Sequence, residues 1–243
     1  MALEILPNRT GGAAENMAVD FLLLQRWPKA AVPRFRHYGW RGPAFTFGYA
    51  QKIAAVRALL PADGTLDVCR RPTGGGLVDH RDDWTYALVI PRGHPLEDVR
   101  ATQSYREVHE ALAGALRAQG VNAVLKSSVD ETEGQGVCFQ RAEIYDVVHA
   151  DSGAKIAGAA QKRNKNGLLF QGSIWRPAAG LPTLGSAKAG AAVDWDKFHD
   201  DFTAQLAAVL RTEAETVPWP ELNEEEVSGL TEQYSATEWI EYR

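Results

Sequence analysis

The stretch "KIAGAAQKRNKNGLLFQGSIW", residues 155–175, reads as two strands, KIAGAAQ and GLLFQGSIW, joined through a short basic segment. KRNKN, residues 162–166, is the expected exposed turn between them. No helical period intervenes, so the two strands are expected to pair antiparallel, as a hairpin. Outward from this hairpin, WTYALVIP (84–91) is a further strand stopped by proline, and LDVCRR, VPRFRHYGW and AFTFGY give others, the last two separated by the turn signal RGP. AEIYDVVHA, before the hairpin, is a strand candidate, and VNAVLK an extended segment ahead of a polar loop, 127–137.

Helical periodicity is confined to a few segments. In AAENMAVDFLLLQRW, Met17, Phe21 and Leu24 fall at i, i+4 and i+7. Residues 104–119 place Tyr105, Val108, Leu112, Ala115 and Leu116 on one face, and Gly120 supplies the stop. His109 shares that face and reads as a core histidine. A third helix carries Trp195, Phe198, Phe202, Leu206 and Val209, and WPELNEEEVSGLTEQYSATEW holds another short one. RPAAGLPTLGSAKAGAA, 176–192, is expected to be irregular. Strands outnumber alternating βαβ units, which predicts an α+β fold: a mixed, largely antiparallel β-sheet flanked by helices.

The chain of 243 residues is 45% hydrophobic, enough for one generous core, and is expected to form a single domain. No run approaches the roughly 20 apolar residues of a membrane helix, and MALEILPNRTGG lacks the features of a secretion signal. Two cysteines, Cys69 and Cys138, form no disulfide framework, which points to a reducing, cytoplasmic setting. The net charge of −5 is uneven: residues 213–243 hold nine Glu and one Arg, a balance of −8, so the remainder sums to +3. This acidic C-terminal segment reads as a solvated helix face. No dense basic stripe indicates nucleic acid, and six scattered histidines show no metal-ligand spacing.

Chemistry concentrates in three places. RRPTGGGLVDH, 70–80, puts Gly74, Gly75 and Gly76 in a row between strands, where they suit a close approach of backbone to ligand or a positive φ. The pattern matches neither the phosphate-loop nor the dinucleotide fingerprint. It reads either as a flexible turn or, with Arg70, Arg71, Thr73 and His80 around it, as a loop offering amides and a cation to a carboxyl group. KIAGAAQ carries Ala157, Gly158, Ala159 and Ala160 in succession, a strand short of side chains against which an acyl chain could lie. Lys155 begins that strand. Cys138 opens "CFQR" after a glycine-bearing loop and lies 17 residues before Lys155. It reads either as a buried small hydrophobe or as a nucleophile whose thiolate a nearby cation favours.

Several blocks in order, NMAVDFLLL, GWRGPAFTFGYAQ, RRPTGGGLVDH, CFQRAEIYDVV, KIAGAAQKRNKNGLLFQGSI and QYSATEW, resemble the lipoate–protein ligase and octanoyltransferase family, which shares a catalytic fold with biotin–protein ligases. The resemblance implies a tunnel for an eight-carbon acyl chain, lined by Arg71, Thr73, Gly74, Gly75, Gly76 and His80, with Gly158, Ala160, Gln171, Gly172 and Ser173. It maps the family's essential lysine to Lys155. Relatives commonly carry His where this chain has Gln171. The Cys–Phe pair resembles the cysteine-dependent branch, which implies Cys138 and Lys155 as catalytic residues. Octanoyl would pass from acyl carrier protein, through a thioester, to a lysine of a lipoyl domain such as that of a dehydrogenase E2 subunit or a glycine cleavage H protein. That reading needs no cofactor, nucleic acid or membrane. The alternatives are an ATP- and magnesium-dependent lipoate ligase and a non-catalytic lipoyl-domain or acyl-binding relative.

Overall fold

A computed structural model describes residues 2–26, 32–62, 64–128, 142–180 and 192–242. The first half runs β1 (Ala2–Gly11), α1 (Ala13–Gln25), β2 (Arg34–Trp40), β3 (Ala44–Phe47), α2 (Ile53–Arg57), β4 (Asp67–Arg70), β5 (Leu77–Asp79) and β6 (Asp83–Pro91). Next come α3 (Pro95–Asp98), α4 (Ala101–Ala118), β7 (Ala123–Leu125), β8 (Val147–His149), β9 (Lys155–Asn164) and β10 (Gly167–Trp175). The chain closes with α5 (Arg176–Ala179), α6 (Trp195–Val209), β11 (Glu213–Thr216), α7 (Glu224–Ser235) and α8 (Thr237–Ile240).

Among the described residues, the main sheet has the order β11-β1-β2-β6-β10-β9-β8-β7, and a small sheet the order β4-β3-β5. β1 lies parallel to both its neighbours, and the other pairs of the main sheet are antiparallel. The 155–175 hairpin forms, but its turn is shorter than expected: Lys162, Arg163 and Asn164 are half-buried and pair with Leu169, Leu168 and Gly167, leaving only residues 165–166 of KRNKN as the turn. Alternation along the strands sorts the two faces. Trp84, Tyr86, Leu88 and Ile90 of β6 and Phe170 of β10 pack under α4 and α6, against Leu112, Leu116, Phe198 and Phe202. Ala87, Val89 and Leu169 face the other way, toward α1 and Tyr234 of α7.

Some expectations are corrected. AEIYDVVHA is a strand only over Val147–His149, because Tyr145 takes a positive φ of 69° and turns the chain first. The N-terminal segment is a ten-residue strand, and the acidic segment contributes β11, whose four residues are all exposed. The acidic region is also more than a solvated face, since Tyr234 is buried against α1. Residues 176–179 form a helical turn within the stretch expected to be irregular. α1 is buried on nearly every side, Met17, Asp20, Leu22, Leu23 and Leu24 included, while Phe21 is only half-buried. The α1 N-terminus is capped from a distance: the Asp67 carboxylate of β4 accepts from Ala13 N at 2.6 Å.

Candidate active site

The register sets two rows of side chains across the sheet, both toward α1. Gly158 on β9 faces Ser173 on β10, which faces Thr85 on β6, which faces Tyr38 on β2. The next row runs Ala160, Gln171, Ala87, Arg36. Small residues at the β9 end leave a hollow. It is closed above by Met17 of α1 and by the glycine loop between β4 and β5. Arg71, Gly75, His80, Gly158, Ala160, Gln171, Gly172 and Ser173 line this cavity, so most of the residues singled out in the sequence do meet.

The cavity encloses about 50 Å³ and is mostly apolar. That is room for one or two waters, narrower than the tunnel the resemblance implies, so an acyl chain requires its walls to part. Gly75 has a φ of +88°, and a Cβ there would meet Arg71 Nη2 at 2.7 Å. The loop therefore needs glycine at its centre.

The two arginines of the loop differ from the expected free cations. Arg70 is fully buried and turns away, donating to the carbonyls of Tyr49, Gln51, Trp239 and Ile240. Arg71 lines the cavity, but its guanidinium donates to Gly74 O, Gly76 O and Thr46 Oγ1 and so staples the loop from within. His80 is held on both sides, by Thr46 Oγ1 at 2.8 Å and Asp83 Oδ2 at 2.6 Å, and Trp40 stacks on its ring. Asp83 also accepts from Thr85 and Ser173. Thr73 and Gln171 join across the cavity wall, Thr73 Oγ1 donating to Gln171 Oε1 at 2.7 Å.

At the β9 end lies a charge pair. Lys155 Nζ is 2.6 Å from Asp146 Oδ2, with both side chains almost wholly buried. The Tyr105 hydroxyl donates to Asp146 Oδ1 and accepts from Ala159 N, and Glu143 N donates to Asp146 Oδ2. Burial, with the adjacent carboxylate, holds the Tyr105 phenol well above its ordinary range. Behind it, buried His109 approaches the Tyr145 carbonyl at 2.7 Å through Nδ1, and burial lowers its imidazole to about 4. It is the core histidine the sequence indicates, packed on Tyr105 at 4.0 Å between ring centroids.

Cys138 and residues 129–137 of the preceding loop lie outside the described residues. Cys69 is buried, and desolvation pushes its thiol far up, so it is no nucleophile. The site residues that sequence reasoning missed are Asp146, Asp83, Thr46 and Asp20. Asp20 carried a signal, a charge inside the apolar stripe of α1, and Asp146 was hidden within a run read as continuous strand. Among the described residues, no cluster of three His, Cys, Asp or Glu is placed to hold a metal ion.

Residues 12–176 match the lipoyl protein ligase A/B catalytic domain. A relative from Halalkalibacterium halodurans named octanoyltransferase LipM is 32% identical over 170 residues, 66% of this chain and 61% of that protein. The match thus spans about three fifths of the length of the curated relatives of this kind. One from Symbiobacterium thermophilum with the same name is 30% identical across 93% of both chains. Among solved structures, a T. acidophilum protein known alone and with lipoic acid bound superposes with a TM-score of 0.77 at 20% identity over the whole of both chains. It shares the fold.

Proposed function

Because this chain belongs to the lipoyl protein ligase A/B catalytic-domain family, we propose that it is an acyltransferase that moves octanoyl, or lipoyl, from acyl carrier protein to a lysine of a lipoyl domain. Cys138 is the nucleophile. Its thiolate attacks the carbonyl of the carrier thioester, the tetrahedral adduct collapses, and the carrier thiolate leaves with the acyl group now on Cys138. The acceptor ε-amine then attacks this second thioester. Cys138 departs as thiolate, and the proton lost by the amine is left to the thiol or solvent.

Lys155 is the cation of this scheme, favouring the thiolate and the oxyanion. The observation that carries the reading is the buried Lys155–Asp146 pair beside Gly158, a residue that lines the small-residue cavity. An ammonium held by a carboxylate, itself fixed by the Tyr105 hydroxyl, against the bare face of Gly158 suits charge stabilisation. The Ala159 amide on β9 is already bound to the Tyr105 hydroxyl. Amides of the Gly74–Gly76 loop, or others of residues 155–160, would stabilise the tetrahedral oxyanion, with the loop favoured. Relatives named octanoyltransferase LipM support the octanoyl donor.

Intact-mass measurement after incubation with octanoyl-carrier protein tests the proposal. A covalent octanoyl adduct is expected, absent in Cys138→Ala and discharged by an acceptor lipoyl domain. Pyrophosphate release from ATP that depends on octanoate or lipoate and survives Cys138→Ala would overturn it in favour of a ligase. Acyl or lipoyl-domain binding with neither activity would leave a non-catalytic binder.

A further inference from the structure

Gln171 lines the cavity, yet both ends of its amide are taken by the protein. Its Nε2 donates to Asp20 Oδ2 at 2.7 Å and approaches Met17 Sδ at 3.1 Å, while its Oε1 accepts from Thr73 Oγ1 at 2.7 Å. Asp20 is fully buried on α1 and accepts further from Arg36 Nε at 2.6 Å and Tyr38 OH at 2.9 Å. The chemistry allows one orientation only. A carboxylate offers no donor, so the amide NH₂ must face Asp20 and the amide oxygen must face Thr73. The Thr73 hydroxyl must then donate, which fixes the first residue of the glycine loop against β10.

We propose that Asp20 and Gln171 are a positioning pair: Asp20 orients the Gln171 amide, and Gln171, through Thr73, holds the glycine loop in register over the cavity. Gln171 does not contact the acyl group by hydrogen bonding, and Asp20 acts from the far side of the wall. The relay couples α1, β10 and the loop through Asp20, Gln171 and Thr73. The charged and titratable groups packed about it are Asp20, Arg36 and Tyr38, all joined as described. Arg71 and His80, on the same cavity, are held by Gly74, Gly76 and Thr46 and by Thr46 and Asp83 respectively. The relevance to acyl transfer rests on the function proposed above; the positioning itself does not.

Hydrogen–deuterium exchange of the intact chain separates the two. In Gln171→Leu, which keeps the bulk and removes both hydrogen bonds, amides 73–77 are expected to exchange at least about fivefold faster, with β6 and β10 unchanged. Gln171→Glu is the second variant, independent of whether the first folds well. Its carboxyl would face Asp20 and must share a proton with it. Loop protection relative to wild type at the same pH is therefore expected near normal at pH 5 and lost at pH 8. Octanoyl transfer by that variant should follow the same pH trend, in kcat as well as in KM for the acyl donor, because the loop carries the oxyanion amides. Wild-type protection of residues 73–77 in both variants at both pH values would overturn the pair. Absence of any octanoyl transfer by the wild type, with loop protection responding as expected, would instead count against the transferase reading alone.

Discussion

The Cβ that Gly158 lacks would lie 2.8 Å from both Cε and Nζ of Lys155 and 3.0 Å from Asp146 Oδ1. The bare backbone of β9 is thus the surface on which the ammonium rests. Gly158→Ala must push the lysine off its carboxylate or twist the strand. Octanoyl transfer is expected to fall about 100-fold, the scale of a misplacement near 1 Å, with the fold retained. Initial rates beside a thermal melt check this. A variant as active as the wild type would remove Gly158 from the argument.

The Lys155–Asp146 pair has stability and activity consequences that come apart. Removing one partner strands a buried charge, so Lys155→Met or Asp146→Asn is expected to lose about 3–5 kcal/mol. The double variant Lys155→Met/Asp146→Asn removes both charges while the amide oxygen can still accept from the Tyr105 hydroxyl, and should recover part of that loss. Transfer activity should remain absent in all three. Urea unfolding gives the coupling, and recovery of activity with stability in the double variant would show the pair to be structural only.

The hairpin of β9 and β10, the three long helices and the glycine loop were legible because their signals are local. Periodicity, turn residues and small-residue runs need no knowledge of neighbours. β11, reading EAET with every residue exposed, carries no alternation and exists because it pairs with β1. Asp146 escaped notice for a related reason: its meaning comes from Lys155 across a turn, and from Tyr105 on α4, 41 residues earlier. The sequence allows the glycine loop to be either a flexible turn or a loop that offers a cation, and neither reading anticipates that Arg70 and Arg71 are spent on the protein's own carbonyls. Their carbonyl partners, in Tyr49, Gln51, Trp239 and Ile240 for Arg70, come together only in the folded chain.

Arg70 makes the C-terminus part of the site's support. Its planar guanidinium gathers four carbonyls from two distant segments, and Trp239 Nε1 returns a hydrogen bond to Arg70 O at 2.7 Å. A lysine ammonium lacks that fork, so Arg70→Lys is expected to lose about 2 kcal/mol or more despite keeping the charge. Exchange should quicken at residues 48–51 and 237–241 together. Denaturation and exchange mapping test this; loss confined to one of the two segments would break the proposed link.

His109 sets a pH limit on the fold. Burial is the main cause of its lowered value of about 4, against about 6.5 in an unfolded chain; Asp146 and the Tyr145 carbonyl oppose the shift and Lys155 adds to it. Above pH 6.5 the ring is neutral in both states and contributes no slope. As pH falls through 6.5 the unfolded chain takes a proton that the native chain refuses, so stability drops until native His109 also titrates near pH 4. The loss from this residue is expected to approach about 3 kcal/mol at pH 4, with a slope up to about 1.4 kcal/mol per pH unit. His37 is lowered to about 4 as well, again mainly by burial, and works in the same direction, with less weight because its ring is partly exposed. Unfolding free energies at pH 7.5, 6.0 and 5.0 should therefore decline. The decline should be shallower in His109→Gln, whose amide can still donate to Tyr145 O and cannot charge. An identical slope in that variant would assign the acid sensitivity to His37 or to the carboxylates instead.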